Sequence, residues 1–303
     1  MTVVISGATG LIGAALSARL ASEGQDVVAL VRRAVRPGER AISWDPAAGT
    51  IDRAALEGCD VVVHLAGENV FGRWTAAKQR RIRDSRVLGT RLVSDAIAGL
   101  ARRPRVLLAA SAIGYYGDRG AEELTEQSAP GDDFLARVAR DWEAATAPAA
   151  RAGVRVVNLR FGVVLTPSGG ALATMLPAFR LGLGGPIGGG AQYLSWIALD
   201  DALAAIAHAL TTDSLTGPIN ITAPHPVRHV EFVRTLGRIL RRPAVLPVPA
   251  FALRLVFGVE GAAMLQSGQR VLPSRLLASG FAFRFDALEP ALWHLLAAPG
   301  GHP

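Results

Sequence analysis

Residues 3–13 read VVISGATGLIG, an apolar run followed by glycines three residues apart. The run is typical of a buried strand, and the residues after the glycines have the spacing of a helix. In such a unit Gly7 permits a tight turn, Gly10 lets backbone amides approach a pyrophosphate, and Gly13 allows close helix–strand packing. The helix N-terminus, with free N–H groups and a positive dipole end, would face the phosphates. An ordinary turn is the alternative, but the position after a first strand favours a phosphate site. The residues predicted to line it are Gly7, Thr9, Gly10, Leu11, Ile12 and Gly13.

The end of the next predicted strand indicates which dinucleotide would bind. Val27–Val31 is followed by Arg32 and Arg33, where an acidic residue would bind the ribose hydroxyls of NAD. A guanidinium can instead hold a 2′-phosphate through two hydrogen bonds. Two solvated arginines are the alternative, and we predict NADP as the cofactor. Small residues at the end of a later strand would let backbone lie against the cofactor, which adds Leu65, Ala66 and Gly67 to the predicted site.

Apolar runs alternate with helical patterns along the chain, which is typical of a parallel sheet covered on both faces. The predicted strands are Val3–Ser6, Val27–Val31, Ala41–Trp44, Asp60–Leu65, Arg105–Ala110, Val154–Leu159, Tyr193–Ile197 and Pro218–Ile221. The predicted helices are Leu11–Glu23, Thr75–Leu100, Asp132–Ala152, Leu172–Leu181, Asp200–Leu210, Val230–Leu240 and Leu288–Leu296. We therefore predict an α/β fold, a Rossmann-type doubly wound parallel sheet with a smaller C-terminal substrate lobe.

The rhythm of strands and helices changes after Arg160, where Gly- and Pro-rich loops become frequent. We predict that residues 1–164 form the NADP-binding Rossmann domain and that residues 191–222 return to it. Residues 165–190 and 223–303 are predicted to form the smaller lobe on the substrate side. A cleft between the two parts would hold the substrate.

The composition of the 303 residues argues against several other classes of protein. The formal charge is +7, but the basic residues are scattered and all except Lys78 are arginine, which favours a solvated basic surface over nucleic-acid binding. The long uncharged stretches are interrupted by Gly and Pro, so we predict no membrane span. The lone Cys59 excludes an internal disulfide and favours a reducing compartment, and no targeting segment precedes the first strand, so we predict a cytoplasmic location. The histidines, including His302, show no metal-ligand spacing, so we predict no metal site.

Motifs along almost the whole chain resemble the extended short-chain dehydrogenase/reductase superfamily. They are Gly7-x-x-Gly10-x-x-Gly13, Asp60-x-x-x-His64-Leu65-Ala66, Gly89-Thr90 and Tyr116-Gly117. More narrowly, the chain resembles SDR39U-type epimerase family proteins with a C-terminal domain of unknown function. The segments that carry this resemblance are Leu65–Asn69, Ser85-Arg86, Gly114–Asp118, Arg160–Leu165, Phe179–Gly190 with Gln192 and Trp196, Gly268–Arg270 and Leu272-Pro273. The resemblance implies NADP binding, and it implies a homodimer through the helices of residues 85–100 and 132–152.

The proton-transfer motif of that superfamily is missing. Its members usually carry Tyr-x-x-x-Lys on the helix after the fifth strand, because the lysine ammonium makes the phenol a usable acid. Tyr115, Tyr116 and Tyr193 are the tyrosines of the chain, and none has a lysine four residues later. The aligned pair is about Phe134 and Val138, and neither side chain can carry a proton.

Residues on the loop after the fifth strand could replace the missing pair. Tyr116, Ser111 and Tyr115 are the candidate catalytic residues, since that loop should lie at the carboxyl edge of the sheet, where ligands bind. A buried aromatic pair beside a Gly117 turn is the alternative. The resemblance also makes Arg86 a candidate for contact with cofactor phosphate or an anionic substrate, where a helix-surface arginine is the alternative.

Two functions follow from these observations. The first is an NADP-dependent oxidoreductase or epimerase acting on a small polar, sugar-like substrate with an atypical active site. The second is a non-catalytic NADP-binding sensor or regulatory protein that kept the nucleotide site without the catalytic motif.

Overall fold

The computed structural model describes residues 1–296; residues 297–303, the end of the predicted C-terminal lobe, and with them His302, lie outside the described residues. The strands are β1 (Thr2–Ser6), β2 (Asp26–Val31), β3 (Ala41–Asp45), β4 (Thr50–Ile51), β5 (Val61–His64), β6 (Val106–Ala112), β7 (Glu123–Leu124), β8 (Arg155–Phe161), β9 (Val163–Leu165), β10 (Tyr193–Leu194), β11 (Trp196–Ala198), β12 (Gly217–Ile221), β13 (Val227–Arg228) and β14 (Arg270–Val271). The helices are α1 (Leu11–Ser22), α2 (Arg53–Leu56), α3 (Ala76–Ala98), α4 (Phe134–Ala144), α5 (Ala147–Arg151), α6 (Gly170–Arg180), α7 (Leu199–Thr211), α8 (His229–Leu240), α9 (Ala250–Gln266), α10 (Ser274–Ala278) and α11 (Leu288–Leu296). A single 3₁₀ turn, Ile113–Tyr116, follows β6.

The main sheet confirms the predicted doubly wound fold. Its strands lie in the order β12–β8–β6–β5–β1–β2–β3–β4, and every neighbouring pair is parallel except β3 and β4. The strand order reverses between β1 and β5, so the carboxyl ends of these two strands flank the switch point. Ligands bind at this position in open α/β sheets.

Apolar side chains cover both faces of the sheet, because successive residues of a strand point to opposite sides. Ile5 and Val63 pack with α1 and α7 on one face, whereas Val4 and Val62 pack with α3 on the other. All four are almost completely buried. The central strands are therefore held from both sides, and their carboxyl edge is a rigid platform.

A further core lies in the C-terminal part of the chain. It packs α6, α8 and α11 around Trp196 and Phe232. By contrast, β12 pairs with β8 in the main sheet, and α7 packs beside α1. The predicted boundaries between the two lobes stay predictions.

The single helix predicted over Asp132–Ala152 is wrong, because α4 and α5 are separate helices. Pro148 has no N–H to donate to the carbonyl of Ala144, and its ring crowds that carbonyl, so a continuous helix is disfavoured there. The buried Ser94 hydroxyl of α3 stabilises the break, since it donates to the Thr146 carbonyl at 3.0 Å and accepts the Ala149 N–H at 2.9 Å.

Further differences concern the second half of the chain, where the short elements β9, β13, β14 and α10 were not predicted. The strand predicted over Tyr193–Ile197 is divided at Ser195 into β10 and β11, which pair with different partners. Helix α9 was not predicted, because its sequence is apolar on all sides and shows no stripe. It is interrupted at Gly258, where φ is +77°. The other predicted elements are confirmed, with ends that differ by one or two residues.

We expect Ser94→Ala to destabilise the protein by about 2 kcal/mol, because the buried Ala149 N–H loses its acceptor. Ser22→Ala is the matched control, since Ser22 is exposed and bonds only within its own helix, and its effect should stay within about 0.5 kcal/mol. Urea unfolding measures both free energies. Equal stability of the two variants would contradict the role given to Ser94.

Candidate functional site

The glycine turn after β1 leaves no space for side chains. Gly7 has φ of +69°, and its carbonyl accepts the Gly10 N–H at 2.9 Å. A Cβ on Gly13 would lie 2.1 Å from the Gly7 carbonyl oxygen, which is inside van der Waals contact. The start of α1 therefore lies directly on the end of β1, as the motif predicts.

The same turn lies against the end of β5. A Cβ on Gly7 would be 2.9 Å from the Ala66 nitrogen. The Ser6 hydroxyl oxygen accepts the N–H groups of Leu65 at 3.1 Å and Ala66 at 3.2 Å. The predicted site residues of the two strands are therefore brought together by backbone contacts.

His64 holds the hydroxyl that makes these contacts. Because Ser6 accepts two N–H groups, its own proton is directed to Nδ1 of His64, 2.7 Å away. This places the imidazole proton on Nε2, which has no hydrogen-bond partner within residues 1–296. The His64 ring meets the Trp44 ring edge-on. Complete burial lowers the pKa of His64 to about 4, so the ring is neutral.

The N-terminus of α1 has amides free to hold an anion. Gly10 occupies the N-cap position and provides no side-chain cap, and the first turn carries no acidic residue. The leading N–H groups of a helix lack intrahelical acceptors, so those of Leu11 and Ile12 are available. Thr9 and Gly10 are exposed beside them. The side-chain-free turn and these amides fit a pyrophosphate.

Arg32 and Arg33 differ in their contacts. Arg33 donates to Glu39 through both terminal nitrogens and also to the Ala34 carbonyl. The hydrogen bond from Arg33 lowers the pKa of Glu39 to about 2. Arg32 is exposed and forms no hydrogen bond or ion pair with any residue in 1–296. Arg32 is therefore the guanidinium that is free to bind a phosphate.

Arg86 lies under the loop that follows β5. Its Nη1 donates to the carbonyls of Glu68 at 3.0 Å and Ile82 at 3.1 Å, and the guanidinium stacks over Trp142. A Cβ on Gly67 would be 3.5 Å from its central carbon. Burial lowers the pKa of Arg86 to about 10, so it remains charged at neutral pH. Arg86 thus fixes the loop and provides positive charge beneath Gly67.

Ser111 and Tyr116 belong to a buried polar network at the carboxyl edge of the sheet. Ser111 donates to Glu143 at 2.7 Å, and Glu143 also binds Arg160 through two hydrogen bonds of 2.7 and 2.8 Å. Arg160 donates to the Tyr116 hydroxyl, which donates in turn to Asn220 at 2.7 Å. Burial raises the pKa of Tyr116 to about 12, so its phenol stays neutral.

Tyr115 is the candidate that keeps part of its surface exposed. The Arg160 guanidinium lies 3.5 Å above the centre of its ring, and Tyr116 meets it edge-on. Tyr116 itself has no exposed surface, and Ser111 is almost fully buried. Of the three predicted catalytic side chains, Tyr115 is therefore the one that is not buried.

Helix α4 places apolar residues where the missing pair would stand. Phe134 begins the helix and meets Trp74 edge-on, and Val138 is buried. The network is organised instead by Glu143, Arg160 and Asn220, which were not predicted as site residues. For Arg160 and Asn220 the available signal was a charged or amide side chain inside an apolar strand, as in VVNLR before Phe161 and PINI at the end of β12; Glu143, on α4, gave no such signal.

A cavity of about 450 Å³ opens beside the loop that follows Tyr116. It is lined by Asp118, Gly120, Ala121, Ile187, Gly188, Gly189, Ala191, Gln192, Tyr193, Arg228, Gln266 and Gly268. The Asp118 carboxylate accepts hydrogen bonds from the N–H groups of Gly120 and Gly268. The guanidinium of the exposed Arg228 lies 5.5 Å from the centre of the Tyr193 ring, and this side chain forms no hydrogen bond or ion pair with the described residues. The volume of the cavity suits a small polar molecule, and Arg228 places a positive charge on its wall.

The NAD dependent epimerase/dehydratase family matches residues 3–222 of the chain. The chain belongs to this family. A second family, a domain of unknown function (DUF1731), matches residues 248–295. The resemblance given by the motifs is therefore confirmed.

Individual relatives of this epimerase family match along the whole chain. An epimerase family protein of Mycobacterium bovis is 42% identical over 301 residues, which cover 98% of each chain. The crystal structure of human epimerase family protein SDR39U1 with NADPH has a TM-score of 0.88 at 37% identity and covers 97% of this chain and 99% of that one. The nucleoside-diphosphate sugar epimerase of Corynebacterium glutamicum has a TM-score of 0.77 at 40% identity, covering 98% of this chain and 58% of that one.

Two features are absent from residues 1–296. None of the helices there has the length and apolar character needed to cross a membrane. In the same range, no three His, Cys, Asp or Glu side chains are grouped so that they could hold a metal ion.

We expect the stability of the protein to depend on pH through His64. Its folded pKa of about 4 lies below the unfolded value of 6.5, so the unfolded chain takes up a proton first as the pH falls. The contribution of neutral His64 to the free energy of unfolding is fully present above pH 6.5 and is lost as the pH falls from 6.5 to about 4. The total loss is about 3 kcal/mol.

Urea unfolding across that pH range measures this effect. His64→Gln should lose correspondingly less stability on acidification than the wild type, whereas the exposed control His225→Gln should behave as the wild type does. Parallel pH curves for wild type and His64→Gln would show that this imidazole is not held neutral.

Proposed function

We propose that the chain binds NADP(H) and acts as an oxidoreductase or epimerase on a small polar, sugar-like substrate. The observation that carries the proposal is Arg32, a guanidinium that has no partner within residues 1–296. It lies at the end of β2, next in the sheet to the strand that ends in the glycine turn. A pyrophosphate on the α1 amides and a 2′-phosphate on Arg32 would distinguish this dinucleotide from NAD. The human relative that was crystallised with NADPH supports the same cofactor.

Different residues around the glycine turn would bind different parts of the cofactor. The amides of Leu11 and Ile12 would hold the pyrophosphate, and Arg32 the 2′-phosphate. Ala66 and Gly67 offer backbone for close approach, with the charge of Arg86 beneath them. When bound, NADPH supplies a hydride that a carbonyl carbon can accept.

The cavity beside Tyr193 is the proposed substrate site. Arg228 can bind an anionic group of the substrate, since a guanidinium recognises phosphate and carboxylate through paired hydrogen bonds. The amide of Gln192 is held by the Ile187 carbonyl at 3.1 Å, which fixes a polar group on the same wall. The relative described as a nucleoside-diphosphate sugar epimerase supports a sugar-like class of substrate.

Tyr115 is our proposed proton donor. Its side chain is partly exposed, and a phenol hydroxyl can donate a proton to a substrate oxygen. Arg160 lies over the Tyr115 ring and is held there by Glu143. Burial alone would lower the pKa of Arg160, but the hydrogen bonds of Glu143 raise it above its usual value, so Arg160 keeps its charge. We propose that Tyr116 and Ser111 position Arg160 and Glu143 and do not transfer protons.

A non-catalytic NADP-binding sensor is the second candidate function. Phe134 and Val138 on α4 favour it, because neither replaces the usual tyrosine and lysine. The two functions differ in turnover. A sensor would bind NADPH but would not oxidise it when tested with a broad panel of carbonyl compounds. It would bind a protein partner in only one state of the cofactor.

The assembly and location of the protein also stay proposals. We propose a homodimer through α3 and the α4–α5 segment, which pack against each other and expose Leu88 on α3. The proposed location is the cytoplasm, and neither function requires nucleic acid.

We expect Arg32→Gln to weaken NADPH binding about 10- to 100-fold, because one charged hydrogen-bonding partner of the 2′-phosphate is lost. NADH binding should not change. Arg33→Gln is the matched control and should have a small effect, since Arg33 is already bound to Glu39. Calorimetric titration measures all three proteins, and a larger loss in the Arg33 variant would reverse the assignment.

The two tyrosine variants should separate catalysis from stability. Tyr115→Phe should lower kcat at least about tenfold with little change in stability, because it removes only a proton donor. Tyr116→Phe should cost about 2 kcal/mol of stability, because it leaves Asn220 and Arg160 without their buried partner.

NADPH oxidation with carbonyl substrates, oxo forms of nucleotide sugars among them, measures the first effect, and urea unfolding measures the second. The opposite pattern would make Tyr116 the proton donor. Tight NADPH binding with no turnover of any substrate in the panel would instead support the sensor.

A further inference from the structure

Large exposed apolar side chains are concentrated on one part of the chain. Twelve such residues are exposed within residues 1–296, and eight of them fall in the short segments 181–183 and 245–259. We call this set the apolar surface; its members are Leu181, Leu183, Val245, Leu246, Phe251, Leu255, Val256 and Val259. Single exposed apolar residues are normal, but a cluster of this size marks an interaction site.

The two segments are held together by hydrogen bonds. The Leu246 N–H donates to the Gly184 carbonyl at 3.3 Å, and Arg242 donates to the Arg180 carbonyl at 3.0 Å. Helix α9 begins directly after this pairing, at the N-cap residue Pro249. The two loops are therefore paired directly before α9, which brings the two segments of the apolar surface together in space.

Helix α9 is fixed to the protein by one side and exposed on the other. Leu253 is buried, and the Phe257 carbonyl accepts the Trp74 N–H at 3.0 Å. Phe251 and Leu255, four residues apart, are 74% and 72% exposed. Neither loosening nor unfolding of α9 is needed to present these side chains to a partner.

The charges around the apolar surface are mainly positive. Segments 180–184 and 241–260 contain Arg180, Arg241, Arg242 and Arg254 and one acidic residue, Glu260, which lies at the edge beside Val259 and accepts a hydrogen bond from Gln79. All four arginines are exposed, and Arg254 lies between Phe251 and Leu255 on α9. The partner that complements this surface is apolar and carries negative charge.

We infer that the apolar surface docks on a membrane that contains anionic lipids. Apolar side chains of a helix lying in the interface enter the acyl boundary, while arginines bind acidic headgroups. A second copy of the chain fits less well, because a two-fold contact would gather the four arginines of each copy in one interface, with only Glu260 of each copy to offset them. The surface adjoins the substrate cavity, since Ile187 bridges to Val248 and also lines the cavity.

Vesicle flotation of the full chain tests the inference. The wild type should float with vesicles of equal parts phosphatidylcholine and phosphatidylglycerol and should bind pure phosphatidylcholine vesicles much more weakly. The double variant Phe251→Gln/Leu255→Gln should bind the mixed vesicles at least about tenfold more weakly, since it loses two apolar side chains that would be buried in the membrane. Leu277→Gln is the matched control, because Leu277 is exposed outside the apolar surface.

The arginines provide a second arm of the same experiment. Arg254→Gln should weaken binding to the mixed vesicles about fivefold, and high salt should reduce this difference. NADPH affinity measured on every variant shows that the fold is intact, and it separates failure here from failure of the proposed function. Equal flotation of the double variant and the wild type would overturn the inference. A second result would also overturn it. If neither the wild type nor any variant floats, and sedimentation shows a wild-type dimer that the double variant does not form, then a second copy of the chain covers the surface.

Discussion

The structure depends on a contact between backbones at the point where β1 ends. Gly13 lies against the carbonyl of Gly7, and Gly7 lies against the amide of Ala66, with distances that exclude a side chain at either glycine. This contact places the N-terminus of α1 at the switch point of the sheet, because β1 and β5 are the strands between which the order reverses. An anion that enters there meets free amides and the positive end of the helix dipole.

Buried polar groups keep the carboxyl edge of the sheet in this arrangement. Ser6 and His64 hold the end of β5 beside the glycine turn, and both are inaccessible to solvent. Across the sheet, Glu143 and Arg160 connect Ser111 with Tyr116. Such groups are expensive to bury unless they are paired, so the network specifies one geometry for the edge. The same pairing commits most hydroxyl groups to structure and leaves a narrow choice of proton donor.

The sequence allowed the sheet and the phosphate turn to be predicted, because both depend on local patterns. Glycine spacing and apolar runs need no knowledge of distant residues. The difference between Arg32 and Arg33 could not be predicted, since it arises from how the following loop brings Glu39 back to one of them. The contact of Tyr116 with Asn220 joins residues 104 positions apart. Helix α9 lacks the polar face that periodicity requires, and this same feature makes it an interaction surface.

A crystal structure of the chain with NADP⁺ is the most direct measurement of the central claim, because it locates each phosphate. We expect the pyrophosphate on the amides of Leu11 and Ile12 and the 2′-phosphate on Arg32, with Arg33 still bound to Glu39. A pyrophosphate away from the start of α1, or a 2′-phosphate held by Arg33 after release of Glu39, would contradict it.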